Sequence, residues 1–144
     1  MKINIFAIIV TCCLLTACDQ SKKTTNAMSD ISTLSGTWEL NYISGTAAPF
    51  EELYANKKPV ISFDNANKTV SGNTSCNNFN GPLKAAGSKI SFTDPMAMTR
   101  MLCPGAGENT FVETLKKVTS WSVNDGQTLN LIMGDIAVMR FTKK

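Results

Sequence analysis

From about residue 34 to the C-terminus, apolar residues fall at alternate positions in short runs, each closed by Gly, Asn, Asp or Pro. Successive side chains leave a pleated strand on opposite faces, so this period marks strands with one buried side. Trp38, Leu40 and Tyr42 set the pattern through residues 37–44. A polar, proline-containing connection follows over 46–58, and Pro59 opens a second strand over 60–64. Asn65-Ala66-Asn67 then makes a turn into a third strand over 68–74, completing a hairpin. Residues 72–82 are dense in Gly and Asn, which tolerate positive φ, and predict a loop. Further strands are expected over 89–93, 121–123, 127–133 and 136–142, with turns at Asp125-Gly126 and Gly134-Asp135.

One stretch breaks the alternation. Phe111, Val112, Leu115 and Val118 fall at the spacing of one helix face. Thr110 and Glu113 match a capping box, and Lys116 and Lys117 lie at the far end, where positive charge suits the dipole. The expected fold is mainly β with one short helix: an antiparallel curved sheet or a small barrel-like meander.

Composition narrows the chemistry. The 144 residues allow one ordinary domain, and none of them is histidine. That removes the commonest general base, the commonest neutral metal ligand and every Ser-His or Cys-His nucleophile. The sequence has no G-x-S-x-G, no P-loop and no dinucleotide fingerprint. A net charge of +3, carried partly by scattered lysine pairs, is no footprint for nucleic acid. Catalytic residues and cofactors are therefore expected to be none, and the chain is expected to be a monomer.

The N-terminus reads as an address. Lys2 precedes a largely apolar run from Ile3 to Leu15, too short to span a bilayer, and small residues follow at Thr16-Ala17. Leu15-Thr16-Ala17-Cys18 resembles a lipobox, the cleavage signal of bacterial lipoproteins. That resemblance implies a signal peptide over 1–17 and an acylated Cys18 that anchors the chain to a membrane of the bacterial cell envelope. A flexible polar tether is expected over 18–34 and the folded domain over 35–144.

Processing leaves Cys76 and Cys103 as the remaining thiols of five cysteines. In an oxidising compartment two cysteines predict one disulfide, with paired reduced thiols or a metal site as alternatives. No histidine and no CxxC accompany them, so no metal site is expected. Met96, Met98 and Met101 read as adaptable packing, a Cu(I) site being the sharper alternative.

Three segments are too particular for generic β sequence. They are Gly36-Thr37-Trp38-Glu39-Leu40, the run Val70 to Gly81 containing Cys76-Asn77-Asn78-Phe79, and Met98-Thr99-Arg100-Met101-Leu102-Cys103-Pro104 followed by Glu108, Phe111 and Leu115. Together, and in this order, they resemble the META/HslJ domain family. The resemblance implies a compact antiparallel barrel-like fold and marks Trp38, Gly72, Asn77, Phe79, Gly81, Thr99 and Met101 as structural motif residues. Two departures stand out: Ser75 replaces the family's glycine before the loop cysteine, and Pro82-Leu83 replaces an aromatic. Ser75 puts in doubt a positive-φ conformation there. The resemblance implies envelope and stress association rather than a defined chemistry. The expected function is a non-enzymatic scaffold binding an envelope protein or component, with a carrier of small apolar ligands in the barrel interior as the rival.

Overall fold

The structure is a computed structural model that describes residues 30–144. The expected signal peptide, Cys18 and most of the expected tether lie outside the described residues. Ten strands form a single sheet: β1 (Gly36–Ile43), β2 (Val60–Asp64), β3 (Thr69–Asn73), β4 (Asn78–Pro82), β5 (Lys84–Ala86), β6 (Lys89–Ser91), β7 (Ala97–Met98), β8 (Ser120–Asn124), β9 (Thr128–Met133) and β10 (Ile136–Lys143). Two helices accompany them, the single-turn α1 (Phe50–Leu53) and α2 (Gly107–Lys116). No helix among the described residues is long and apolar enough to cross a membrane.

The spatial order is β5-β6-β8-β9-β10-β1-β2-β3-β4-β7, every pairing antiparallel. The long strands β1 and β10 pair at the centre, and the sheet curls into a half-barrel. Register shifts at Leu40/Tyr42 and Ala137/Met139 place irregularities in these central pairings, and such bulges bend a strand and increase its local twist. Alternation then delivers Trp38, Leu40, Ile61, Phe63, Leu129, Leu131 and Phe141 to one core, with Phe111 and Leu115 of α2 in the same cluster. Trp38, Phe63, Phe92 and Trp121 are all buried, so side chains fill the interior in which a carrier would hold its ligand.

The structure departs from the sequence reading in four places. Of the loop expected over 72–82 only residues 74–77 form a turn: β3 and β4 flank it as a hairpin registered from Thr69↔Pro82 to Asn73↔Asn78. Gly72 is required there by close packing, because a Cβ at that position would lie 2.1 Å from the Val60 carbonyl oxygen and 2.7 Å from the Phe79 ring. The capping box is not used. Helix α2 begins three residues before Thr110, whose backbone N–H already donates to the Ala106 carbonyl inside the helix. Ile31–Leu34, expected in the tether, forms a 3-10 turn capped by Asp30, and Leu34 is fully buried. The two short edge strands β5 and β7 carry too few residues for an alternation to be read.

Candidate functional site

The motif residues converge where the β3–β4 turn meets the segment between β7 and α2. Asn77 forms the hub, and it is only 1% exposed. The turn first fixes itself: the Thr74 N–H donates to the Asn77 carbonyl (2.8 Å), and the Asn77 N–H donates to Thr74 Oγ1 (3.0 Å). The Ser75 N–H donates to Asn73 Oδ1 at 2.9 Å. This ring of bonds holds Ser75 at φ +88°, the positive-φ conformation that the missing glycine had put in doubt. Ser75 adopts it at a strain cost that glycine would not incur.

The Asn77 side chain then reaches across to the facing segment. Its Oδ1 accepts from Thr99 Oγ1 (2.7 Å) and from the Met101 N–H (2.8 Å). Its Nδ2 donates to the Met101 carbonyl (3.1 Å) and to Glu108 Oε2 (2.8 Å). Thr99 adds bonds in both directions: its N–H donates to the Asn78 carbonyl and its hydroxyl accepts from the Asn78 N–H, each at 3.0 Å. Cys76 and Cys103, adjacent to these bonds, are joined in a disulfide. Glu108 sits in the first turn of α2, where a negative charge suits the helix dipole. Its Oε2 lies 2.5 Å from Cys103 Sγ. A disulfide sulfur has no proton to give, so this is a contact rather than a hydrogen bond.

The result is a loop fixed from behind and bare in front. Both backbone polar groups of Met101 are bound to one buried side chain, while the Met101 side chain is 59% exposed and Leu102 is fully exposed. The sulfurs of Cys76 and Cys103 and a Glu108 oxygen lie within 4.8 Å of one another. With the sulfurs bonded to each other, a single carboxylate remains as donor, fewer ligands than a zinc site uses. Met96 and Met98 pack against the core while Met101 faces solvent, so the three thioethers are divided between two environments.

Of the motif residues expected from sequence, Asn77, Thr99, Met101, Cys76 and Cys103 come together here. Phe79 lies beneath, its ring 6.0 Å from that of Phe111. Gly81 sits against Met96, whose Cγ a Cβ there would meet at 2.8 Å. Trp38 belongs to another part of the molecule, where its indole N–H donates to the Leu34 carbonyl at 2.8 Å. Sequence reasoning gave Glu108 and Leu102 no role. The position of Glu108 five residues after Cys103 at a helix start was the available signal for the first. Nothing in the alternation marks an exposed leucine in advance. Nearby, the buried Tyr54 hydroxyl donates to the Gly107 carbonyl at 3.0 Å, and burial pushes its pKa up to about 12.

These features define an antiparallel half-barrel whose hairpin turn is stapled to the segment leading into its helix. The META domain model matches residues 31–144, and the chain belongs to that family. No curated protein matches the chain. Among solved structures, an NMR structure of a protein from Burkholderia xenovorans is 18% identical with a TM-score of 0.59, covering 88% of this chain and 96% of its own. A second NMR structure is 24% identical with a TM-score of 0.54, covering 76% of this chain and 89% of its own. The crystal structure of a DUF4847-family protein from Bacteroides vulgatus is 16% identical with a TM-score of 0.53, covering 78% and 94%. At these identities the likeness concerns the fold alone.

Proposed function

We propose that this chain is a lipid-anchored protein of the bacterial cell envelope whose META domain acts by binding a protein partner through the stapled 99–105 loop, without catalysis. The observation that carries the reading is the exposed Leu102 on a backbone held by Asn77 and by the disulfide. A loop backbone already held in place has little main-chain freedom left to lose on association, which is the general advantage of preorganisation. The Asn77 bonds and the disulfide account for Asn77, Thr99, Met101, Cys76 and Cys103 as a frame for that presentation. Binding also suits a chain without histidine and with no activated nucleophile at the site. The anchor is supported by the Leu15-Thr16-Ala17-Cys18 quartet and the polar stretch after it.

Two measurements test the reading separately. Cys18→Ser should abolish acylation and, because the lipobox is then broken, leave a precursor that keeps its apolar segment; persistent acylation would refute the anchor. Leu102→Asp should remove the partner recovered by crosslinking from native membranes, at unchanged thermal stability. Full recovery of that partner with Leu102→Asp would refute the loop as the binding site.

A further inference from the structure

One free edge of the half-barrel has a second site beside it. Between the free edge at β5 and the β2–β3 turn runs a groove of about 980 Å³, at the upper end of the roughly 300–1,000 Å³ typical of small-molecule sites. Its floor is aliphatic: Leu83, Ile90 and Val118 line it, and each is no more than 8% exposed. Among the described residues no aromatic ring and no carboxylate lines it, whereas Lys68, Lys84, Lys89 and Lys116 all do. Lys84 is paired with Asp94 at 3.6 Å and Lys116 with Glu113 at 3.0 Å, both pairs largely solvated. Lys68 and Lys89 have no acidic partner among the described residues.

We propose that this groove binds a free single-chain fatty-acid anion, with its carboxylate among Lys68, Lys89 and their neighbours and its alkyl chain over Leu83, Ile90 and Val118. The charge is complementary: among the described residues four lysines line the groove, two of them without an acidic partner, and no carboxylate does. An aliphatic floor without aromatic rings suits a methylene chain. A bilayer surface is a poor occupant, because Leu83, Ile90 and Val118 are buried in the groove floor and Ile31 is the only large apolar side chain at its rim exposed to a flat membrane. An added peptide strand is a poor occupant too, because the free edge at β5 offers only three residues. The groove shares no residue with the 99–105 loop, so the two proposals stand or fall apart.

The test uses the mature chain, residues 18–144 with Cys18→Ser, which carries neither an acyl group nor the apolar segment 3–15, titrated with monomeric decanoate, dodecanoate and tetradecanoate. Saturable binding of one molecule per chain is expected, tightening about fourfold per added methylene while the chain stays over the apolar floor. Dodecanol should bind at least about tenfold more weakly than dodecanoate, and rising salt should narrow that difference. Lys68→Glu combined with Lys89→Glu should reverse the preference, so that dodecylammonium binds better than dodecanoate; a misfolded variant would bind neither and would show it in thermal melting. Equal affinity for dodecanol and dodecanoate would overturn the proposal. So would adsorption to phosphatidylglycerol vesicles without uptake of monomeric dodecanoate, which would give the groove to a membrane surface.

Discussion

Replacing Asn77 tests the frame of the site most sharply, because its side chain makes every bond between the turn and Met101. Asn77→Ala removes bonds to Thr99 Oγ1 and to both backbone groups of Met101, and one to Glu108. Neutral hydrogen bonds contribute about 1 kcal/mol each and a charged one about 1.5–3 kcal/mol, and water re-pairs part of this at a half-exposed loop. A net loss of about 3 kcal/mol is expected. Asn77→Asp keeps the shape but sets a carboxylate oxygen where Nδ2 now stands, 2.8 Å from Glu108 Oε2 and facing the Met101 carbonyl. At an effective dielectric of about 20–40 that repulsion is about 3–6 kcal/mol before relaxation. The aspartate variant should therefore be less stable than the alanine variant at neutral pH. Adding Glu108→Gln should restore about 2 kcal/mol or more. Burial and the neighbouring charge would raise the folded-state pKa of the new carboxyl, so stability of Asn77→Asp should rise as pH falls. Urea unfolding followed by the fluorescence of the buried Trp38 and Trp121 reads all of these. A cost below about 1 kcal/mol for Asn77→Ala, or no relief from Glu108→Gln, would refute the hub.

Three further outcomes follow from the same geometry. Reducing the Cys76–Cys103 disulfide, which closes a separation of 27 residues, should cost about 3.5 kcal/mol by loop entropy, read as a lower urea midpoint. Ser75→Gly relieves a residue held at φ +88°; about 1–2 kcal/mol of strain, less about 0.5–1 kcal/mol of added unfolded-state freedom, leaves a gain of about 0.5–1 kcal/mol in the same assay. Tyr54 has its folded-state pKa raised to about 12 from 10.0 by burial, so the unfolded chain releases that proton first and stability should fall as pH rises from 10 towards 12. Tyr54→Phe should flatten this alkaline decline, and an unchanged pH profile would count against the assignment.

Much of the half-barrel was legible because its long strands bury one face. The expected strand over 60–64 coincides with β2, and the last two strands are within a residue of those expected. The expected strand over 68–74 is β3, whereas β4 escaped for a physical reason. Gly72 and Gly81 serve close packing against Val60, Phe79 and Met96. In sequence, the same glycines among asparagines read as loop chemistry. The start of α2 was misplaced because Gly107 and Glu108 open the helix without a side-chain cap, while a better-looking cap stood one turn inside. The pairing of Cys76 with Cys103 followed from the expectation that processing leaves only these two thiols. The hub role of Asn77 could not be counted in that way, because it depends on a segment more than twenty residues distant in sequence folding back on the turn.

The central claim is that the stapled loop is the surface a partner touches, and site-specific photocrosslinking in intact cells tests it most directly. A photoreactive residue placed at position 102 should give one discrete adduct, and the same residue at Asp125, in the exposed β8–β9 turn, should give none. Replacing Cys76 and Cys103 together with Ser should weaken the adduct at 102, because the loop is then no longer held in place. Equal labelling at 102 and 125, or no adduct at 102 while the protein is folded and anchored, would contradict the account.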